Sequence, residues 1–433
     1  MKGLIFTYLL TCGGSIGAFF NPFIGVLAYV CLALVSPTSM WHWAVTPHPY
    51  SRIVGIAMLI GWALHGFGRW DLNKAWGGAI ALLGFFMWSV FSALSSFQQE
   101  VAWDFVIAMS KIVIPVIVGL TLIDSVSKLK QLAWVIMLSQ GLVAFEMNLS
   151  YYAGFNRMQM GGFGGLDNNS MAIAAVSGFG LALFLGMGAT KWWQRLLSWT
   201  CAILMGHSVM FSFSRGGMLA LIISFALSFL LIPKRNPKHW IAWLAILLIG
   251  FRLAGPEVVG RFSTTFSETS ERDGSAQSRL DLWEDNWDVM KRYPILGIGP
   301  DHWPLIAHEY GWPPLKEGHS LWLQTGAELG FPGLGFLLLF YLLNMKRLVK
   351  IIRDKKDEFD PWLCDAGRMV IVSLAGFLVS SQFVSLEGLE IPYYINMLGA
   401  GVLAVGYRAS AVSPVNMPMQ VGQDMPIFKP QPA

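Results

Sequence analysis

The chain has 433 residues, of which 55% are hydrophobic and only 13% are charged. Soluble domains carry about 25% charged residues, so this composition excludes an ordinary soluble protein and predicts an integral membrane protein. The net charge of +4 is small and dispersed, which argues against a nucleic-acid partner. The four cysteines have neither disulfide nor metal-ligand spacing, and we interpret them as small buried residues.

Apolar segments recur along nearly the whole chain and predict an all-α polytopic fold. Thirteen segments are candidate spans: 3–18, 22–37, 52–66, 76–96, 104–123, 130–150, 169–188, 196–213, 215–232, 239–253, 327–345, 366–384 and 390–407.

Orientation follows from the basic residues in short loops, which stay on the cytoplasmic side. The densest basic loops are "PKRNPKH" at 233–239 and "KRLVKIIRDKK" at 346–356, so we expect both inside and the long segment 254–326 outside. Thirteen spans would leave Met1 and Lys2 outside. We therefore expect that the two short segments around Asn21-Pro22 do not both cross, which gives about twelve transmembrane helices.

Arg215 lies near the middle of an apolar run of 37 residues, from Leu196 to Ile232. An arginine at the centre of a membrane helix costs roughly 2.5–3.5 kcal/mol, and one span needs only about 20 residues. The run therefore predicts two short helices joined by a tight turn at Arg215, Gly216 and Gly217. Parity then places Arg215 on the outer surface.

The outer segment 254–326 contains the clearest functional signals. Within it, "SRLDLWEDNWDVMKRYP" predicts an amphipathic helix that ends before Pro294. Arg279 projects within the apolar arc of this helix. It either snorkels or stacks on Trp283, or it points into a cavity towards an anionic ligand. The two predicted faces are an acidic one with Asp281, Glu284, Asp285 and Asp288 and an apolar one with Leu280, Trp283, Trp287 and Met290.

The acidic face has two interpretations. Four carboxylates on one face could bind a metal ion, but a solvated helix face is the commoner arrangement, and we adopt it. We therefore expect no metal and no cofactor.

The segment "EGHSLWLQTGAELGFPG" predicts a helix that Gly318 or Ser320 starts. His319 then lies at the positive end of the helix dipole, which favours the neutral imidazole. A neutral imidazole can act as a base, although a histidine here could equally hydrogen-bond a loop carbonyl. His319, Leu323, Gly326, Ala327 and Gly330 are expected along one helix face, where the glycines allow close approach of a helix or a lipid chain.

Arg215, Arg279 and His319 are all predicted at the outer surface. Two arginines form a binding site for a diphosphate, because guanidinium groups match phosphate oxygens bidentately. A neutral histidine beside them could deprotonate an acceptor hydroxyl while the arginines stabilise the leaving diphosphate. This combination predicts glycosyl transfer from a lipid-linked sugar.

The sequence resembles the bacterial O-antigen ligases and the related O-antigen polymerases. Arg215 with Leu219 matches the family's "Arg, any three, Leu" motif. His319, Ser320, Leu323 and Gly330 match its "His, Ser or Asn, any two, Leu, any six, Gly" motif. The resemblance covers about residues 165–345, and Arg279 falls at an essential arginine of the family's intervening pattern. "NPFIGVLAYVCLALVSPTSMW" and "GGLDNNSMA" look more like putative O-glycosylation ligases associated with exosortase systems.

The resemblance implies an O-antigen ligase that transfers a polysaccharide from undecaprenyl diphosphate to lipid A core sugar. It implies an active site at the periplasmic face of a Gram-negative inner membrane and catalysis without a metal. Because no carboxylate nucleophile is found, we expect inversion at the anomeric centre. The expected domains are an N-terminal bundle (1–253), a periplasmic catalytic loop (254–326), C-terminal transmembrane helices (327–408) and a disordered cytoplasmic tail (409–433).

Three alternatives remain open. An O-antigen or polysaccharide polymerase, or a protein O-glycosylation ligase, would use the same donor lipid with another acceptor. A transporter of an anionic substrate would suit the number of spans, but transporters generally place their site at the membrane midplane between repeats. The charged residues of the candidate site are instead predicted together at one surface, the outer one.

Overall fold

A computed structural model describes residues 1–160, 166–232, 274–354 and 358–412, together with the single positions 241, 244, 248 and 260. The predicted span 239–253, the basic segment 233–239 and the tail beyond residue 412 lie outside these residues, apart from those single positions.

The described part of the chain is helical. Its long helices are α1 (Lys2–Phe20), α2 (Pro22–Val35), α3 (Tyr50–Leu64), α4 (Trp76–Ser95), α5 (Gln99–Leu122), α6 (Val126–Tyr152), α7 (Asn168–Gly188), α8 (Trp192–Phe211), α9 (Arg215–Leu231), α10 (Gly274–Arg292), α11 (Leu321–Asp354), α12 (Pro361–Ser380) and α13 (Glu390–Val412). Short helical turns lie at Pro37–Met40, Asn73–Ala75, Arg157–Met160, Trp303–Ile306 and Ala307–Tyr310.

Eight helical segments among the described residues are long and apolar enough to cross a membrane, and two shorter apolar helices, α3 and α9, accompany them. The all-helical polytopic fold is therefore confirmed, while the total of about twelve spans stays a prediction. The segments Lys2–Phe20 and Pro22–Met40 both qualify. The structure thus gives no reason to discount either of them as a span.

Polar residues begin several helices, as capping requires. The side chains of Asn21, Ser125, Asp167, Ser214 and Asp360 each accept a hydrogen bond from a backbone N–H in the first turn of the helix that follows. Two of these caps, Asp167 and Ser214, begin α7 and α9 at the same end of the bundle. They therefore fix where the backbone leaves the apolar region at that end.

The helices pack around α7 and α12, which are the most enclosed candidate spans. Lys2 Nζ lies 2.7 Å from Glu146 Oε1, so the start of α1 is tied to the C-terminal part of α6. Asn148 Nδ2 on α6 donates to Ser208 Oγ on α8 at 2.9 Å. The first residue of α1 and the ends of α6 and α8 therefore lie at the end of the bundle where α9 begins.

Candidate active site at one end of the bundle

Four helix ends meet where the candidate residues lie. Asn168 Nδ2 at the start of α7 donates to the carbonyl oxygen of Ser212, just before α9, at 2.9 Å. The backbone N–H of Leu321, the first residue of α11, donates to Ser381 at the end of α12 at 2.9 Å. The starts of α7, α9 and α11 and the end of α12 thus surround one region.

The connection between α8 and α9 differs from the prediction. The turn comprises residues 212–214, with Phe213 at a φ of 56°, and Arg215 is the first residue of α9 rather than part of the turn. Gly216 and Gly217 lie in the first helical turn. A Cβ added at Gly216 would lie 2.8 Å from the ring of Phe383, and one added at Gly217 would lie 2.6 Å from the side chain of Ala172. The two glycines are therefore needed for close packing around Arg215, not for a turn.

His319 lies directly before Ser320, which is fully buried, and α11 begins at Leu321. The Ser320 hydroxyl accepts from the backbone N–H of Leu323 at 3.4 Å. Ser320, one of the two predicted starts, is thus the cap of α11, and His319 directly precedes it with a φ of 51°. Burial lowers its pKa to about 4, with Lys316 and Arg279 adding to the effect and Asp167 opposing it. The imidazole is therefore neutral at pH 7.

Asp167 joins this region from α7. Burial opposes its ionisation, but hydrogen bonds from the hydroxyl and the backbone N–H of Ser170 outweigh burial and lower the pKa of the carboxyl group. The Ser170 N–H donates to Asp167 Oδ1 at 2.8 Å. Asp167 therefore acts as the cap of α7 and also provides the negative charge near His319.

The amphipathic helix is confirmed as α10, but its buried face is rotated relative to the prediction. Leu282, Asn286 and Val289 are fully buried, whereas Leu280 and Trp287 are 45% and 43% exposed. Trp283 and Met290 do face inward, as predicted. The indole Nε1 of Trp283 donates to the carbonyl oxygen of His319 at 3.2 Å, which ties α10 to the histidine.

The acidic face of α10 makes local contacts. Asp285 Oδ2 accepts from Trp312 Nε1 at 2.7 Å, Asp288 pairs with Lys291 at 2.6 Å, and Asp281 accepts from Gln277 at 2.8 Å. Within the described residues, no group of three or more His, Cys, Asp or Glu side chains is placed to hold a metal ion.

α11 is broken at Gly330, where φ is 69° and ψ is −176°. A Cβ added at Gly330 would lie 2.3 Å from the carbonyl oxygen of Ile295, so the backbone of the segment after α10 occupies that space. A Cβ at Gly326 would lie 2.3 Å from the sulfur of Met290 on α10. The close approach predicted at these glycines is therefore made by α10 and the loop after it.

The break exposes backbone carbonyls, which α4 and the 293–303 segment satisfy. Trp88 Nε1 donates to the carbonyl oxygen of Leu329 at 3.0 Å and to that of Ile295 at 3.3 Å. Ser92 Oγ donates to the carbonyl oxygen of Leu296 at 2.6 Å, and the Gly299 N–H donates to the main-chain carbonyl oxygen of Glu328 at 3.0 Å. The segment after α10 thus contributes backbone atoms, not side chains, to these bonds with α4 and α11.

A fully buried carboxylate extends the same network. The two carboxylate oxygens of Glu328 accept from the backbone N–H groups of Asp301 and Trp303 at 2.9 and 3.1 Å and from Gln324 Nε2 at 3.1 Å. Glu387, in the loop after α12, lies nearby and accepts from the Thr325 hydroxyl at 3.0 Å. Burial raises the pKa of Glu387 to about 8.

The structure brings His319 and Arg279 close enough for the arginine charge to act on the imidazole. Arg215 joins them through packing: its neighbour Gly216 abuts Phe383, whose ring lies 6.2 Å from that of Trp283. Both arginines are half-buried. Lys316, Asp167 and Glu387 are not among the site residues predicted from the sequence. The pattern "LDNNS" before an apolar run was a capping signal that could have identified Asp167.

The geometry defines a polytopic, all-helical membrane protein with a cationic, histidine-containing site at one end of its bundle. Residues 200–340, which include Arg215, Arg279 and His319, match the family described as O-Antigen ligase. The resemblance inferred from the motifs is therefore confirmed, and the match supports an O-antigen ligase family for this chain.

Residues 1–179 match a second family, described as a family of unknown function (DUF5935). An uncharacterized protein of Haemophilus influenzae is 25% identical over 204 residues, which are 43% of this chain and 51% of that protein. The chain therefore spans about half the length of this relative. Neither match names a donor or an acceptor.

Proposed function

We propose that this protein is an O-antigen ligase that transfers a polysaccharide from undecaprenyl diphosphate to a hydroxyl group of lipid A core oligosaccharide. The reaction would take place at the periplasmic face of a Gram-negative inner membrane. The observation that carries the proposal is the placement of a neutral histidine, His319, among the cations Arg279 and Lys316 at the end of the bundle where Arg215 begins α9.

The proposed donor site comprises Arg215 and Arg279, each holding oxygens of the diphosphate. Guanidinium groups form two parallel hydrogen bonds with phosphate oxygens and remain charged throughout the reaction. Lys316 adds a third positive charge beside His319. Asp167, whose charge also acts on His319, accepts hydrogen bonds from the backbone N–H and the hydroxyl of Ser170.

In the proposed reaction, the imidazole of His319 removes the proton of the acceptor hydroxyl as its oxygen attacks the anomeric carbon. The bond between that carbon and the diphosphate oxygen breaks, and undecaprenyl diphosphate leaves with its negative charge stabilised by the arginines. This is one displacement, which inverts the anomeric centre and uses no metal. A bound diphosphate would also raise the pKa of the imidazole, which makes His319 a stronger base only when the donor is present.

The test is transfer by the purified protein in lipid vesicles, with undecaprenyl diphosphate glycan as donor. Lipid A core, a protein and a second donor molecule are offered separately as acceptors, because the second and third reveal a protein ligase and a polymerase. We expect transfer to lipid A core, inversion of configuration and no effect of EDTA. His319→Ala should reduce transfer by about a hundred- to ten-thousandfold, the usual contribution of base catalysis.

His308→Ala is the matched control, because His308 is exposed and lies in the same outer segment. Retention of configuration, undiminished transfer by His319→Ala, or loss with EDTA and rescue by a divalent metal would each contradict the mechanism. Movement of an anion across the vesicle membrane without glycan transfer would favour the transporter.

A further inference from the structure

Two side chains, those of Trp283 and Gln324, hydrogen-bond the backbone on either side of the His319 α-carbon, and His319 has an unusual conformation. Its φ of 51° lies in the left-handed region, which is uncommon for residues other than glycine. Such a conformation is strained and persists only where the surroundings enforce it. The contacts on either side of His319 are therefore candidates for the groups that enforce it.

On the carboxyl side, the indole of Trp283 donates to the carbonyl oxygen of His319 at 3.2 Å. Trp283 lies one helical turn after Arg279 on α10, so this bond fixes His319 relative to the helix that bears the arginine. The ring of Trp283 also packs against Phe383, 6.2 Å away, which orients the indole.

On the amino side, the backbone N–H of Gly318 donates to Gln324 Oε1 at 2.8 Å. Gln324 is 2% exposed, and its Nε2 donates to Glu328 Oε1 at 3.1 Å. Glu328 is itself fixed by the backbone N–H groups of Asp301 and Trp303. The amide of Gln324 therefore has one orientation in which both of its bonds form.

We propose that Trp283 and Gln324 are positioning residues, which hold the His319 imidazole at the distance from Arg279 that proton removal and diphosphate binding require together. This inference rests on the proposed function. Neither residue has to touch the substrates. Displacement of a catalytic group by about 1 Å can cost roughly a hundredfold in rate, so we expect these residues to affect turnover rather than donor binding.

Trp283→Phe tests the proposal, because it removes the indole N–H but retains a ring against Phe383. Trp287→Phe is the matched control: it is the same substitution one turn along α10, where Trp287 is 43% exposed and packs edge-on against Phe331. We expect Trp283→Phe to lower kcat by about ten- to a hundredfold with KM for the donor nearly unchanged. Trp287→Phe should retain wild-type kcat and KM.

Two further measurements separate positioning from general damage. First, as the pH is lowered, kcat/KM of Trp283→Phe should begin to fall at a higher pH than kcat/KM of the wild type. The reason is that a loosened imidazole is better hydrated, so its pKa rises towards the ordinary value of histidine. Second, Trp283→Phe should have little additional effect in a His319→Ala background, measured over long incubations, because it acts through the missing imidazole.

Gln324→Met provides an independent variant of similar volume without the amide, and we expect it to lower kcat in the same way. Equal kcat values for Trp283→Phe and Trp287→Phe, or an equal loss in the presence and absence of His319, would overturn the positioning role. Wild-type activity of His319→Ala would instead refute the proposed function itself, so the two failures are distinguishable.

Discussion

The break in α11 at Gly330 gives a sharp test of how the candidate site is assembled. A φ of 69° with a ψ of −176° lies in a region that is essentially restricted to glycine, and a residue with a side chain there costs of order 1–3 kcal/mol. In Gly330→Ala the new Cβ would also lie 2.3 Å from the carbonyl oxygen and 2.6 Å from the carbonyl carbon of Ile295.

That overlap cannot be relieved by a side-chain rotation, because the atoms in the way belong to the backbone. Relief requires the 294–295 backbone to move away from α11, which would weaken the bonds that Trp88 donates to Leu329 and Ile295. Overpacking of this kind costs about 1–3 kcal/mol, so the two effects sum to roughly 2–6 kcal/mol. This is a large part of the 5–15 kcal/mol that stabilises a typical folded protein.

The assay is thermal unfolding of the purified protein in detergent, together with glycan transfer. Gly335→Ala is the matched control, because Gly335 lies in the same helix and a Cβ added there meets nothing within 4 Å. Alanine is favoured over glycine in a helix interior by roughly 0.5–1 kcal/mol, so Gly335→Ala should unfold at the same or a slightly higher temperature. Gly330→Ala should unfold several degrees lower and transfer poorly. Equal midpoints for the two variants would refute the reasoning.

Three further predictions concern the site and its orientation. Arg215→Lys and Arg279→Lys keep the positive charge but lose the planar guanidinium group, so glycan transfer should fall strongly in both variants. Arg292→Lys, at the exposed end of α10, should retain transfer. Wild-type rates in the first two variants would contradict bidentate binding of the diphosphate. Because the pKa of His319 is lowered to about 4, the free enzyme should keep its basic imidazole until the pH approaches that value. The acidic fall of kcat/KM should thus lie well below pH 6.5. The acidic fall of kcat should lie at a higher pH, because the bound diphosphate raises the pKa of His319. A fall of kcat/KM at the ordinary histidine pKa would refute the effect of burial. In a variant without native cysteines, an impermeant reagent applied from the periplasm should label a cysteine at exposed Leu315 but not one at exposed Lys191; the reverse pattern would invert the predicted topology.

The helices were largely predictable from the sequence because hydropathy reports directly on burial in lipid. The segments 76–96 and 169–188, for example, correspond to α4 and α7 within a residue at each end. The same counting predicted that Arg215 and the segment before α11 lie at one end of the bundle, since each span reverses the direction of the chain. That this end is the periplasmic one stays a prediction. Arg215 and His319 were then selected by their chemistry and by the motifs around them.

Contacts between distant segments were not predictable in the same way. Gly216 and Gly217 indicated a turn, but the residues that require them to be small, Phe383 and Ala172, lie far away in the sequence. A helical wheel placed Leu280 and Trp287 on the buried face of α10, yet the actual partners of α10 cover a neighbouring arc that includes Asn286. Periodicity gives the existence of a face, whereas its exact direction depends on which elements pack against it.

The hydrogen bonds that hold the 293–299 segment against α4 and α11 have a consequence for sequence variation. Its contacts with α4 and α11 use the carbonyl oxygens of Ile295 and Leu296 and the N–H groups of Ile298 and Gly299. The Ile295 side chain is 63% exposed and takes no part in them. Position 295 should therefore accept many different residues without loss of these hydrogen bonds. Substitution of Gly330 or of Trp88 should instead disrupt them. We therefore expect relatives to differ in the exposed side chain at this position and to retain the backbone arrangement around Gly330.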